Sequence, residues 1–186
     1  MVAQPSHQVM SVAEYLTLEA GSLEKHEYVD GHVYAMAGGT YAHDRIGNNV
    51  RALINTHLGA GPCVLNGPDV RLRITPTLYY YPDAFVTCDQ AIEAGSTELS
   101  GACLIVEVLS TSTEAADRGE KFGNYQTLAT CTEYVLVDSR RRCVEHFQRA
   151  DGANWIYHRY GDGEAVALES IDLTVPVSTL YLAAGV

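Results

Sequence analysis

The chain has 186 residues, enough for one domain with a substantial core. Hydrophobic residues make up 47% and charged residues 19%, ordinary values for a soluble globular protein, and no apolar run approaches the ~20 residues of a membrane span. A formal net charge of -11 argues against a broad basic surface and against strong non-specific DNA binding, although it leaves room for a local basic cleft.

The first ten residues, MVAQPSHQVM, lack a basic stretch followed by an apolar one. No signal peptide and a cytoplasmic location are therefore expected. Residues 11–19 read as a short helix with Ser11 as N-cap. In KHEYVDGHVYAMAGG, two alternating runs flank Asp30-Gly31, which predicts a hairpin with a two-residue turn. Ile46, Val50, Leu53 and His57 recur at helical spacing and predict a long amphipathic helix over 43–58, closed by Gly59 and Gly61-Pro62.

Strands are expected at 63–65, 70–74, 80–87 and 104–109, with an exposed polar loop over 88–102. A helix should follow, with Thr111 and Glu114 at capping-box spacing. Gly119 and Gly123 would give it one face able to sit close on a sheet. EYVLVDS, CVEHFQR and NWIYHRY read as three more strands, with a basic turn at 140–142. The apolar tail should pack back onto the body. The five cysteines are odd in number and none forms a C-x-x-C pair. Reduced, core-filling thiols are expected, with neither a zinc site nor a disulfide framework. The order of elements predicts an α/β fold bordering on α+β: one domain over 1–186, with a sheet flanked by helices and a parallel strand–helix–strand unit over 104–138.

Two acids stand out. Asp83 interrupts YYYPDAF and Glu107 sits in the middle of LIVEVLS, both in strongly apolar strands. A buried carboxylate is unfavourable unless it is paired, protonated or bound to a metal. Strand alternation puts Glu107 and Leu109 on one face, Val106 and Val108 on the other, and Asp83 with Tyr81 and Phe85. Two such carboxylates on neighbouring strands suit Mg²⁺, which takes one or two carboxylates and completes its shell with water and phosphate oxygens. The plainer readings are a turn cap for Asp83 and an arginine partner for Glu107.

The stretches YYPDAFVTCD and LIVEVLSTSTEAADRGEKFGNYQTLATCTEYVLVD resemble the Uma family of restriction-endonuclease-like proteins, within the PD-(D/E)XK nuclease superfamily. HEYVDGHVYAMAG, the helix opening at His43 and the end pattern with Trp155 extend the resemblance over most of the chain. It implies a restriction-endonuclease-like central mixed sheet preceded by a helix and a β-hairpin. It also implies Asp83, Glu107 and the Val108 backbone carbonyl as ligands of Mg²⁺, with Mn²⁺ as substitute. The motif lysine is replaced by Leu109. Lys121 could supply that cation from the following helix, where Asp117, Lys121 and Tyr125 form a ridge at four-residue spacing.

Glu27 is a candidate additional acid and His43 a candidate phosphate contact. Their plainer readings are hairpin surface charge and a polar helix start; for Lys121 it is a solvated helix lysine. The implied function is metal-dependent hydrolysis of DNA by a homodimer, with no membrane association. The alternative is a catalytically inactive nuclease fold acting as a binding or regulatory module.

Overall fold

Asp30 and Gly31 both have positive φ, 45° and 96°. This is the backbone of the tight turn that Asp-Gly favours. It joins β1 (His26–Val29) to β2 (His32–Ala35) as the predicted antiparallel hairpin. The computed structural model describes residues 9–36, 38–88 and 91–186. The amino-terminal stretch read as lacking a leader, up to residue 8, lies outside them, as do 89–90 at the head of the expected loop.

Helix α1 (Val12–Gly21) starts from Ser11 with a capping box to Glu14. Helix α2 (Tyr41–Leu58) starts two residues earlier than its periodicity suggests, because Thr40 accepts a hydrogen bond from the His43 amide. It ends at Gly59, whose φ is 52°. The strands β3 (Cys63–Asn66), β4 (Arg71–Thr75), β5 (Leu78–Tyr80) and β6 (Ala84–Cys88) follow. The single strand expected over 80–87 is therefore two. Pro82 cannot donate to a ladder, and at Tyr81-Pro82-Asp83 the chain leaves one sheet and enters another.

The loop expected over 88–102 contains a short strand, β7 (Glu98–Ser100), paired in parallel with β4. Three residues are too few to show a period. Then come β8 (Ala102–Leu109), β9 (Glu133–Asp138), β10 (Cys143–Arg149), β11 (Trp155–Gly161), β12 (Ala165–Leu168) and β13 (Leu173–Pro176). Between β8 and β9 runs a helix in three parts: α3 (Glu114–Ala116), a π-turn (Asp117–Lys121) and α4 (Phe122–Thr127). A final helical turn, α5 (Val177–Leu180), precedes the C-terminus.

One sheet has the order β2-β1-β5-β4-β7, and the central one β11-β10-β9-β8-β6-β3. The central sheet is mixed, because β8 and β9 run parallel while its other pairs are antiparallel. Its two faces follow strand alternation. Val86, Leu104, Val106 and Val135 pack against α2, α5 and the β12–β13 ribbon. Phe85, Ile105, Leu109 and Leu136 pack the other way, against Tyr125 of α4 and Leu72 and Tyr80 of the five-stranded sheet. Helix α1 closes that sheet with Tyr15, stacked on Tyr28 at 4.7 Å between ring centroids. The tail packs back as expected, with Leu180, Tyr181 and Ala184 in the first core.

Three local expectations are corrected. The Thr111–Glu114 capping box does not form: the helix opens after Thr113 without a side-chain cap, and the Ser110 hydroxyl instead accepts from the Thr113 amide at 3.3 Å. Gly119 and Gly123 face solvent rather than a sheet, since a side chain at either would meet nothing. The ridge facing inward is Asp117, Lys121 and Tyr125. Cys63 and Cys88 form a disulfide, while Cys103, Cys131 and Cys143 are free. The pairing arises because antiparallel β3 and β6 set residues 63 and 88 directly opposite each other, a register that cysteine spacing does not encode. No helix among the described residues is long and apolar enough to cross a membrane.

Candidate functional site

The sheet switch decides where Asp83 sits. Ala84 pairs with Val106 across β6 and β8, so Asp83 falls beside Glu107 and Val108 at the mouth between the two sheets. Each acid is clamped by the other strand's backbone. Asp83 Oδ2 accepts from the Val108 amide at 2.7 Å, and Glu107 Oε2 accepts from the Asp83 amide at 3.3 Å. Glu107 is only 4% exposed. The turn-cap reading of Asp83 is thus half right: its carboxylate holds a backbone amide, but that amide belongs to the neighbouring strand.

The helix between β8 and β9 supplies the cation. Lys121 Nζ lies 2.7 Å from Glu27 Oε1, 3.2 Å from Glu107 Oε1 and 3.5 Å from Asp117 Oδ1. The reading of Lys121 as a solvated helix lysine is excluded, because the residue is buried. The π-turn over Asp117–Lys121 widens the helix at the point where both side chains enter the site, a distortion often found at functional positions. One helical turn on, the Tyr125 hydroxyl donates to Glu107 Oε1 at 2.8 Å. Leu109, at the motif's lysine position, is buried in the core and offers no charge.

Glu27 reaches the site from β1 and also accepts from the Tyr81 amide at 3.4 Å, so it is not merely hairpin surface charge. His43 comes from the first turn of α2, with Nε2 3.4 Å from Asp83 Oδ2. Its ring also approaches the Val108 backbone, and the Asp83 carboxylate holds its imidazolium above the usual histidine range. All six candidate side chains therefore meet in one place. Asp117, named in the sequence only as part of the helical ridge, joins them, and the signal for it was its position four residues before Lys121.

The electrostatics are those of an acid cluster held by one ammonium. Burial, with Asp117, Asp83 and Glu27 nearby, pushes the Glu107 carboxyl well above the usual carboxylate range despite Lys121. Burial likewise raises Asp117. Burial opposes the charge on Lys121, but Glu107, Glu27 and Asp117 outweigh it and hold the ammonium form. Asp117 Oδ1 is buried and lacks a hydrogen-bond donor. Fully ionised, Asp83, Glu107, Glu27 and Asp117 would outnumber the Lys121 and His43 cations; burial pushes protons onto Glu107 and Asp117 instead, and an added cation would relieve that.

Among the described residues no three His, Cys, Asp or Glu side chains converge as a ready-made cage. The available donors are the Asp83 and Glu107 carboxylates and the Val108 carbonyl, hard oxygens of the kind Mg²⁺ takes alongside water. In front of them opens a cavity of about 200 Å³, walled by Val29, Tyr34 and Met36 of the hairpin side and by Tyr80, Thr113 and Glu120 opposite.

Comparison with known proteins agrees with this architecture. The profile of the Uma2 family, described as "Putative restriction endonuclease", matches residues 12–178. The chain belongs to the Uma2 family. One similar protein, an uncharacterized Synechocystis protein, is 37% identical over 173 residues, covering 92% of this chain and 91% of its own. A second uncharacterized Synechocystis protein is 31% identical over 159 residues, covering 84% and 90%. Among solved structures, a "putative nuclease belonging to DUF820" from Anabaena variabilis superposes with a TM-score of 0.77 over 94% of this chain and 99% of that one. At 14% identity that likeness shows a shared fold.

Proposed function

We propose that this Uma2 protein is a metal-dependent endonuclease that hydrolyses phosphodiester bonds in DNA. The observation that carries the reading is the convergence of Asp83, Glu107 and Lys121 from three separate elements at one cavity. Asp83, Glu107 and the Val108 carbonyl would hold Mg²⁺, or Mn²⁺ in its place. The ion supplies Lewis-acid stabilisation of phosphoryl charge and lowers the pKa of water.

The chain's own groups do the rest. The Val108 amide fixes the Asp83 carboxylate, and the Tyr125 hydroxyl fixes Glu107. Lys121 holds a proton at Nζ, from which it can orient the attacking water or stabilise charge developing on the phosphoryl oxygens. His43 stands at the opposite side of Asp83, placed to donate to a phosphate oxygen. The family and the fold support a nuclease, DNA as substrate comes by analogy with that family, and the metal rests on the chemistry of the site.

The test is cleavage of plasmid and single-stranded DNA with Mg²⁺ or Mn²⁺ at low salt, beside an Asp83→Asn variant. Wild type should cleave, and the variant should lose at least ~100-fold, as expected on losing a positioned catalytic group. No cleavage by wild type under any of these conditions would favour the second reading, a binding module on an inactive nuclease fold. The specific observation behind that reading is Leu109, buried where the motif puts its lysine.

A homodimer is part of the proposal. The edge strand β11 leaves Ile156 and Tyr157 about half exposed and, among the described residues, pairs only with β10, so it offers an open edge with apolar side chains to a second copy. Light scattering should give twice the 20.2 kDa chain mass. A mass equal to the single chain at micromolar concentration would remove the dimer.

A further inference from the structure

The cavity wall differs in chemistry from its floor. The floor is acidic. Glu27 and Tyr34 are directly opposite each other across the hairpin, so both side chains stand on the same face. Glu27 turns its carboxylate to Lys121, and Tyr34 lines the same cavity together with Val29 and Met36.

The other cavity tyrosines are already engaged. The Tyr80 hydroxyl accepts from Asn124 at 2.6 Å and its ring meets Tyr125 edge-on. The Tyr81 hydroxyl donates to Glu19 at 2.7 Å. Among the described residues Tyr34 has neither a hydrogen-bond partner nor a ring or cation over its face, and Met36 beside it is 38% exposed. An aromatic ring without a partner among the described residues and an adaptable thioether thus line the cavity.

The rest of the molecule offers little to a duplex. A protein gripping double-stranded DNA by its backbone needs several free cations around the site. Here both lysines are paired with carboxylates, and so are Arg71, Arg73 and Arg118 and all three arginines of the 140–142 turn. Arg51 donates to the Asp83 carbonyl and Arg149 to the carbonyls of Cys131, Gln126 and Leu128, which leaves Arg45, stacked over Tyr41, and Arg159, bonded to Cys143 Sγ, as the arginines with neither a carboxylate nor a carbonyl partner among the described residues. Affinity for a nucleic acid must come from elsewhere, and base–aromatic stacking is the alternative that does not need positive charge.

We infer that the cavity receives one unpaired nucleobase, stacked on Tyr34 and flanked by Met36, so that the substrate is single-stranded or frayed DNA rather than a continuous duplex. The inference rests on the nuclease reading for the phosphate beside the acid cluster. The base is held by Tyr34 while its own phosphate faces Asp83 and Glu107. Tyr34 is then a specificity-determining residue that touches substrate and takes no part in the bond cleavage.

The test uses the full chain with oligonucleotides carrying 2-aminopurine, bound in Ca²⁺ and cleaved in Mg²⁺. With single strands, 2-aminopurine fluorescence should fall on binding, and affinity should depend weakly on salt, with a log–log slope shallower than about -2. Tyr34→Ala should weaken single-strand binding by about tenfold or more, the usual loss of one stacking platform. Tyr34→Phe and Tyr34→Trp should restore it, which a purely structural role would not predict for both. Matched duplexes should bind and be cleaved at least tenfold less well. Duplex cleavage that depends on Asp83 but equals single-strand cleavage, with Tyr34→Ala unchanged, would overturn the inference and leave the nuclease reading standing. Quenching that depends on Tyr34, with no cleavage of either strand, would support the inference and remove the nuclease reading. No quenching and no effect of Tyr34→Ala on binding overturns it whatever the cleavage result.

Discussion

Lys121→Ala is expected to lose metal-dependent cleavage by at least ~100-fold and, in metal-free buffer near pH 7, about 3 kcal/mol of stability. Both losses come from one ammonium. Lys121 is buried within 3.5 Å of Glu27, Glu107 and Asp117, so its removal leaves three carboxylates facing one another at low dielectric. The sign of the pH dependence follows. The folded pKa of Lys121 lies above its ordinary value, so its contribution is fully present below that value and is lost only as pH rises through the folded pKa. Without Lys121 the carboxylates must take up protons to fold, so the variant's deficit should shrink as pH falls from 7 toward 5. Added Mg²⁺ should also reduce it, by neutralising the same cluster. Lys121→Gln, of similar length without charge, should match alanine in activity. Chemical denaturation across pH, with and without Mg²⁺, reads the stability part, and plasmid cleavage the rest. A variant equally stable and equally active at pH 7 would show that the ammonium does neither job.

Much of this site could be read from the sequence because its members break local rules. A carboxylate in LIVEVLS contradicts its strand, and such contradictions point to sites. The ridge Asp117–Lys121–Tyr125 was visible because i, i+4 spacing survives the π-turn. The parallel return from β8 to β9 followed from the order of strong patterns, while the mixed central sheet was implied by the family resemblance. What could not be read was set by partners distant in the chain. Pro82 marks a local break in YYYPDAF, but the destination of the two halves, Tyr80 in one sheet and Ala84 in another, is set by strands elsewhere in the chain. The three residues of β7 carry no period of their own and pair only because β4 offers an edge. The Cys63–Cys88 bond depends on the β3–β6 register, and the burial of Glu27 depends on a helix roughly ninety residues further along. Glu27 and His43 each looked polar on an ordinary surface, and only the tertiary arrangement brings them to Lys121 and Asp83.

Glu107→Gln should raise the melting temperature in metal-free buffer while removing the stabilisation that Mg²⁺ confers. Glu107 is almost completely buried, and its neighbours include the carboxylates of Asp83, Asp117 and Glu27. Its folded pKa is therefore raised, so the folded state binds a proton that the unfolded state releases. Stability from this group is complete below its unfolded pKa and falls as pH rises toward the folded value. Glutamine removes the charge and keeps one acceptor oxygen, enough for the Tyr125 hydroxyl at 2.8 Å, while the longer 3.3 Å bond from the Asp83 amide is given up. The gain should be on the order of 1 kcal/mol at pH 8 and vanish near pH 4, where wild type is protonated as well. Wild type should gain about 2.7 kcal/mol at Mg²⁺ one hundred times its Kd, and the variant little or nothing. Asp83→Asn makes the control. Its amide oxygen can still accept from the Val108 amide, so it should stay close to wild type in metal-free stability and also lose the Mg²⁺ response. Thermal melts over pH 4 to 8 with a Mg²⁺ titration separate these outcomes. If Glu107→Gln melts well below wild type at pH 8 without metal, the carboxylate is a structural anchor for Lys121, and Glu107 would not be available as a ligand.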